Sequence, residues 1–211
     1  MSKFKIAILV DGAWFSKTVG KQLQPPTEWP KAKQVYSNAI RLVEADEILI
    51  KILYYESEPY QAKLENPISR QTMDFSSTKG CSARNRFLHE IAQMEYIALR
   101  RGEIMAHGWR LKEDYQDQLI GGSSGQITAA DIVPNFQQKG VDMRIGIDAA
   151  ILSIKRQVDR IILCTGDTDF IPAMKLARRE GVQVVVVKVG TWKLHSALIE
   201  HSDMMRTLIP Q

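Results

Sequence analysis

The sequence predicts an α/β fold of three layers, in which helices cover both faces of a central, mostly parallel sheet of five strands. The main observation is an alternation along the chain, where short apolar runs rich in β-branched residues are separated by segments of helical spacing. The second is composition, since 45% hydrophobic and 25% charged residues are typical of a globular protein. Because the 211 residues contain neither a repeat nor a linker, we expect a single domain over 1–211.

Each predicted strand is an apolar run that is too short for a helix. Consecutive Val, Ile and Leu residues indicate strands buried on both faces of a parallel sheet. The third run alternates more loosely than the others. The predicted strands cover residues 5–10, 48–55, 103–111, 160–164 and 182–189.

Apolar residues at helical spacing separate these strands. The predicted helices cover residues 29–45, 84–101, 142–158 and 170–180. We expect Asp142 to be the N-cap of the third helix and Gly181 to close the fourth. The third helix carries an apolar stripe that predicts a core-facing side. This stripe consists of Met143, Ile147, Ala150, Ile151, Ile154 and Val158.

Two polar excursions, at about 56–80 and about 111–130, interrupt the alternation. The first contains Pro59 and Pro67 and predicts a mobile segment rather than a core element. The second contains the glycine- and serine-rich residues 121–125, which predict a flexible lid or arm.

The composition excludes several classes of protein. A net charge of +4 and an isoelectric point of about 9.0 favour phosphate-bearing partners only weakly. Cys81 and Cys164 provide neither a disulfide framework nor the paired spacing of a zinc site. The run at 5–10 is too short for a signal peptide or a membrane span, so we expect a cytoplasmic protein that does not bind membranes. The four histidines lack the spacing of a catalytic or zinc site and are interpreted as structural: His89, His107, His195 and His201.

Four aspartates are expected at one edge of the sheet. In open α/β sheets the functional crevice lies beyond the carboxyl ends of the strands. Asp11 ends the first strand, and Asp167 and Asp169 follow the fourth. Asp142 begins the helix that leads to the fourth strand. Because crowded carboxylates repel, such a cluster is stable in its ionised form around cations, and oxygen ligands select Mg²⁺ or Mn²⁺. A site of this kind suits in-line hydrolysis of phosphodiesters.

Each aspartate also has a purely structural interpretation. Asp11 followed by Gly12 is ordinary turn chemistry, and Asp142 could serve only as a helix cap. Asp167 and Asp169 could cap the next helix, although one cap residue suffices.

Two further residues have open assignments. Asp148 could be a metal ligand or the partner of Arg144 in an exposed ion pair at i−4. Lys139 could neutralise a substrate phosphate or lie in a solvated loop.

These residues resemble the NYN domain of the PIN-like nuclease superfamily, whose bacterial members include the LabA-type proteins. The resemblance follows the order and separation of three blocks along most of the chain. They are Ile8-Leu9-Val10-Asp11-Gly12, Lys139-Gly140-Val141-Asp142 with Asp148 following, and Thr165-Gly166-Asp167-Thr168-Asp169-Phe170 with Pro172. The chain departs from the pattern at Trp14, where many relatives have an asparagine.

The resemblance implies a three-layer PIN-like fold, a Mg²⁺- or Mn²⁺-dependent acidic site and RNA as the substrate. The implied catalytic residues are Asp11, Asp142, Asp167 and Asp169. The implied metal ligands are the same four aspartates and Asp148. The expected RNA-binding residues are Lys139, Arg144, Thr165, Arg84 and Arg86. A homodimer is a further expectation.

Two other functions are weighed against a ribonuclease. A haloacid-dehalogenase-type phosphatase would share the Gly166-Asp167 motif, but it needs a second acid two residues after Asp11, where this chain has Ala13. An RNA-binding or regulatory PIN-like module could keep the aspartates and cleave slowly or not at all. The basic segment 79–112, with a local balance of +4 in the residues counted from Lys79 to Lys112, would serve a nuclease and a binding module equally.

Overall fold

The computed structural model describes residues 3–122 and 125–211, which form two compact units. The first unit comprises Met1–Glu56, Phe87–Gly102 and Gly140–Gln211, and the second comprises Ser57–Arg86 and Glu103–Lys139. The expectation of a single domain stays a prediction. Residues 123 and 124, in the middle of the predicted flexible segment, lie outside the described residues.

Strands and helices alternate through most of the chain. The strands are β1 (Phe4–Asp11), β2 (Glu47–Ser57), β3 (Lys63–Glu65), β4 (Thr72–Asp74), β5 (Ile97–Leu111), β6 (Ile132–Lys139), β7 (Arg160–Cys164), β8 (Gln183–Val189) and β9 (Met204–Leu208). The helices are α1 (Gly12–Gln22), α2 (Ala32–Ile40), α3 (Lys79–Ala92), α4 (Glu113–Ile120), α5 (Val141–Ile154), α6 (Ile171–Arg179) and α7 (Ser196–Glu200).

The central sheet has the strand order β6-β5-β2-β1-β7-β8-β9. Strand β1 pairs in parallel with β2 and β7, and β8 pairs in parallel with β7 and β9. The β5–β6 pair is antiparallel. The predicted mostly parallel α/β fold is confirmed, with seven strands rather than five. Because Asp11 is in register with Tyr55 of β2, and Val10 with Cys164 of β7, these three strands end at the same edge.

Two apolar clusters, one on each face of the sheet, form the core of the first unit. Ile6, Ile8 and Val10 of β1 point to the face covered by α1 and α2. Ala7 and Leu9 point to the opposite face, which α5 and α6 cover. Each of these five residues is 0% exposed, which explains why β1 is apolar at consecutive positions.

The second unit contains β-structure, a short 3₁₀ turn at Phe75–Ser77, the first part of α3 and all of α4. Strands β3 and β4 form an antiparallel hairpin within the first polar excursion. Three aromatic rings pack together in this unit, with centroids of Tyr60, Phe75 and Phe136 separated by 5.0 to 5.6 Å. The Trp109 indole donates a hydrogen bond of 2.8 Å to the Glu65 carbonyl. The second excursion contains α4, which the sequence analysis did not predict.

Several predicted boundaries were wrong. The helix expected at 29–45 is limited to α2, and α1 was missed, because its buried face uses small and polar residues. The helix expected at 84–101 ends at Ala92, since Tyr96 adopts a positive φ of 62° and β5 begins at the next residue. Strand β6, helix α7 and strand β9 were also missed.

Helix α5 is rotated relative to its predicted orientation. Val141, Ile145 and Ala149 are its buried apolar residues. Four residues of the stripe expected to face the core are exposed instead, with exposed fractions of 72% for Met143, 50% for Ile147, 41% for Ile151 and 59% for Ile154. Val158 is buried as expected, but it lies after the end of α5. The N-cap is Gly140, with a φ of 77°, and Asp142 lies in the first turn, so its prediction as the N-cap was wrong.

Candidate functional site

Asp11 joins β1 to α1 at the carboxyl edge of the sheet. Its Oδ1 accepts a hydrogen bond of 3.2 Å from the backbone N–H of Trp14, which caps the helix. Its Oδ2 accepts a bond of 3.3 Å from the hydroxyl of Thr165. Burial, with a smaller contribution from the carboxylates of Glu56 and Asp142, raises the pKa of Asp11 to about 6 against the lowering effect of the bonds from Trp14 and Thr165.

Asp167 and Asp169 follow β7 in a turn that their own hydrogen bonds stabilise. The Asp167 N–H donates to the Thr165 hydroxyl over 3.1 Å, so this buried threonine links the ends of β1 and β7. The Asp167 Oδ1 accepts a bond of 2.9 Å from the Asp169 N–H and caps a short 3₁₀ turn. Both aspartates are exposed, so their carboxylates are accessible to a ligand.

Asp142 belongs to the same electrostatic group. It is exposed in the first turn of α5, where the helix dipole favours a negative charge. Partial burial raises its pKa, and the charges of Asp167 and Asp169 raise it further. Since Asp142 in turn raises the pKa of Asp11, three separate segments of the chain bring carboxylates within mutual influence.

The strand-end aspartates do not form a group of three whose carboxylate oxygens all lie within 4.8 Å of one another. Among residues 3–122 and 125–211, the only acidic trio whose oxygens lie within 4.8 Å of one another is Glu44, Asp46 and Glu47. That trio lies at the amino end of β2, where Arg206 donates to Glu47 over 2.6 Å and to Glu44 over 3.1 Å. It is therefore part of an ion-pair network. The separation of roughly 4 to 8 Å expected among the strand-end aspartates for a metal site stays a prediction.

Asp148 has partners other than the one expected. Its Oδ2 accepts hydrogen bonds from the Tyr55 hydroxyl at 2.9 Å and from the Arg100 Nε at 3.0 Å. Arg144 instead donates to the Gly140 carbonyl over 2.8 Å. Of the two open assignments of Asp148, the ion pair with Arg144 is not formed, and Asp148 pairs with Arg100 instead.

Comparison with known families agrees with this arrangement, because the family model described as NYN domain matches residues 5–208, nearly the whole chain. The chain belongs to the NYN domain family. NYN domains are part of the PIN-like superfamily and are generally nuclease-like. This membership removes the support for a haloacid-dehalogenase-type phosphatase.

Two individual proteins are similar to this NYN domain. An uncharacterized protein of Methanocaldococcus jannaschii is 26% identical over 104 residues, which cover 49% of this chain and 42% of the relative. The match thus spans less than half the length of that relative. A protein of unknown function from Vibrio parahaemolyticus has a solved structure with a TM-score of 0.48 and 17% identity, covering 98% of this chain and 93% of the other.

Sequence reasoning missed one carboxylate of this NYN domain. Glu56 is buried at the end of β2, directly after Tyr55, and its charge raises the pKa of Asp11. The available signal was its position, since Glu56 follows an apolar strand in the same way as Asp11 does. It was overlooked because it also begins a polar excursion.

The expected RNA-binding residues divide between the two units. Arg144 and Thr165 belong to the first unit, where Arg144 is exposed and Thr165 is 1% exposed. The Thr165 hydroxyl already donates to the Asp11 carboxylate and accepts from the Asp167 N–H, so Thr165 holds these two aspartates in place in this structure. The second unit contains Arg84 and Arg86 on α3 and Lys139 at the end of β6.

Trp14 fills the position where many relatives have asparagine. Its indole lies against Gly166, where a side chain would overlap the ring. The indole Nε1 is buried without a hydrogen-bond partner in the described part of the chain. The glycine of the Thr-Gly-Asp block is therefore required by the neighbouring tryptophan.

The donor set fits a hard divalent cation. Asp11, Asp142, Asp167 and Asp169 offer only carboxylate oxygens, the ligand type that Mg²⁺ and Mn²⁺ prefer. The charged neighbours with the largest effects on the pKa of Asp11 and Asp142 are carboxylates, namely Glu56 and Asp142 for the first and Asp167 and Asp169 for the second. A bound cation would relieve this repulsion.

Within the described residues, no helix is long and apolar enough to cross a membrane.

Proposed function

We propose that this NYN domain is a divalent-metal-dependent ribonuclease that hydrolyses RNA phosphodiesters at the strand-end aspartates. The observation that carries the proposal is a chain of electrostatic effects, in which Asp142 raises the pKa of Asp11 and Asp167 and Asp169 raise the pKa of Asp142. The generally nuclease-like character of NYN domains gives the reaction class. RNA as substrate and Mg²⁺ or Mn²⁺ as cofactor follow from the family resemblance.

The residues of the chain contribute orientation and charge. Thr165 fixes the Asp11 carboxylate against the turn that contains Asp167, which keeps the two strand ends in one geometry. Asp142 and Asp169 add negative charge at the open side of this pair. A divalent cation bound there would neutralise phosphate charge and increase the acidity of a water molecule.

The decisive variant is Asp167→Asn. An asparagine can still cap the 3₁₀ turn, and loss of one charge relieves repulsion, so we expect the metal-free protein to be equally or slightly more heat-stable. Mn²⁺ affinity should fall, and the rate of RNA cleavage should fall by at least about a hundredfold, as expected when charge stabilisation is lost at a reacting phosphate. The measurements are Mn²⁺ titration calorimetry and cleavage of a labelled RNA with Mn²⁺, Mg²⁺ or chelator.

Asp117→Asn is the matched control, because it removes one exposed carboxylate on α4, a helix that contributes neither to the acidic trio nor to the strand-end aspartates. It should leave Mn²⁺ affinity and cleavage unchanged. Equal cleavage by wild type and Asp167→Asn would contradict the proposed site. Metal-independent RNA binding without turnover in any divalent cation would favour the alternative, an RNA-binding or regulatory PIN-like module.

A further inference from the structure

Three side chains from three elements meet beside the aspartates. Tyr55 and Arg100 donate to the same oxygen of Asp148, and they come from the neighbouring strands β2 and β5. Tyr55 is 0% exposed, and its register partner on β1 is Asp11. The Asp148 side chain is 19% exposed, whereas that of Arg100 is 45% exposed. Tyr55 and Asp148 are therefore the more buried part of this group, and the Arg100 guanidinium is accessible to solvent.

The contacts leave Arg100 with unused donors. Only its Nε bonds to Asp148, and in the described residues no acceptor bonds to the two terminal nitrogens. A guanidinium offers five N–H donors in a fixed fork that matches a phosphate. The bond at Nε therefore holds the guanidinium in place and leaves the two terminal nitrogens of this partly exposed side chain available to a ligand.

We propose that Arg100 binds a backbone phosphate of the RNA and that Asp148 and Tyr55 are positioning residues that orient its guanidinium. This inference rests on the proposed function, because it assigns a contact for the same substrate. Asp148 is then not a metal ligand. Its position supports this, since it lies six positions after Asp142 on the same helix, a rise of about 9 Å.

The test measures affinity for a short single-stranded oligoribonucleotide in chelator, where no cleavage occurs. Arg100→Gln should weaken binding by about tenfold, the scale of a charge-assisted contact. The slope of log affinity against log salt should become shallower by about 0.7, the value for one phosphate contact on a single strand. An unchanged slope would overturn the phosphate assignment.

Asp148→Ala separates positioning from simple electrostatics. Alanine removes the acceptor oxygen that asparagine would keep for the Tyr55 hydroxyl and the Arg100 Nε. Removal of a negative charge alone would tighten RNA binding, whereas loss of the positioning contact should weaken it by about threefold. In the double variant Arg100→Gln/Asp148→Ala the effects should be less than additive, because both act on one contact. RNA binding by Asp148→Ala that equals or exceeds that of wild type would overturn the positioning role.

Mn²⁺ titration excludes the remaining interpretation. Asp148→Asn should retain wild-type Mn²⁺ affinity, and a tenfold loss would identify Asp148 as a ligand and overturn the inference.

The matched control for Arg100→Gln is Arg178→Gln, since the Arg178 Nε also donates to an aspartate, Asp203, over 2.9 Å but near the amino ends of the strands. Its RNA affinity should equal that of wild type. If wild type binds no RNA, the proposed function fails with this inference, whereas equal binding by wild type and Arg100→Gln defeats this inference alone.

Discussion

Asp11 combines two roles with opposite effects on its charge. As the cap of α1 it accepts a backbone hydrogen bond, which favours the carboxylate. As a largely buried neighbour of Glu56 and Asp142 it is penalised when ionised, and the penalty prevails, since the pKa rises to about 6. Without a cation, the ionised site therefore costs stability.

This cost predicts a pH dependence for the metal-free protein. Below about pH 3 both folded and unfolded Asp11 are protonated and the cost is absent. As the pH rises through about 4 towards 6 only the unfolded state ionises, so the free energy of unfolding falls, by roughly 3 kcal/mol for a shift of this size. Asp11→Asn should lack this loss and be more stable than wild type at pH 7 but not at about pH 3. Urea unfolding in chelator at several pH values measures the difference, and parallel curves for the two proteins would contradict it.

Gly12 illustrates how far single residues can be interpreted from sequence. The Asp-Gly pair was compatible with an ordinary turn, but in the structure Gly12 begins α1. A Cβ at this position would lie 2.6 Å from the carbonyl oxygen of Tyr55 and 2.6 Å from the Tyr54 ring. The reason for glycine is thus a close approach between the start of α1 and β2, and such a contact between distant segments leaves no local signal.

Among the elements, the fully buried strands were predicted best. Strand β7 has the predicted bounds, because a strand apolar on both faces shows its identity in every residue. Helix α5 was predicted to exist but with the wrong side inward. Residues two apart on a helix point in nearly opposite directions, about 200° apart, and α5 is apolar on both sides. The spacing alone could not decide between the stripes of Ile145 and Ile147.

Two substitutions in α5 test its orientation. Ile145 is 1% exposed and Ile147 is 50% exposed, although both are isoleucines of the same helix. Ile145→Ala should lower the free energy of unfolding by about 2 to 5 kcal/mol, because it leaves a cavity in the core. Ile147→Ala should change it by less than about 0.5 kcal/mol, as is usual for surface sites. Chemical denaturation of the pair measures this, and equal losses would contradict the observed rotation.

At the scale of the molecule, an ion-pair network links distant parts of the chain. Glu47 at the start of β2 is buried and accepts hydrogen bonds from Arg160 of β7 and Arg206 of β9. Although burial opposes ionisation, the bonds from Arg206, Glu44 and Arg160 keep the pKa of Glu47 below its usual range. This network was not foreseen, because the acid and the arginines are more than 100 residues apart in sequence. The strand-end aspartates were foreseen, because topology alone places the carboxyl ends of parallel strands together.

Glu47→Gln should destabilise the whole fold. Removal of the carboxylate leaves the buried charge of Arg160 uncompensated, which typically costs about 3 to 5 kcal/mol. Glu44→Gln is the matched control, because it removes the exposed acid that pairs with the same Arg206 and should cost less than about 1 kcal/mol. Urea unfolding at pH 7 compares the two. Similar small losses would show that the network contributes little.

The two apolar sides of α5 have a consequence for folding. Burial of apolar side chains alone would let α5 pack on the sheet in two rotations about half a turn apart. A local ambiguity of this kind adds a competing state during folding. Only the native rotation gives the buried Tyr55 hydroxyl its acceptor on Asp148, and an unsatisfied hydroxyl there would cost about 1 to 3 kcal/mol. This polar contact thus favours the native rotational register, and in that register the charges of Asp167 and Asp169 raise the pKa of Asp142.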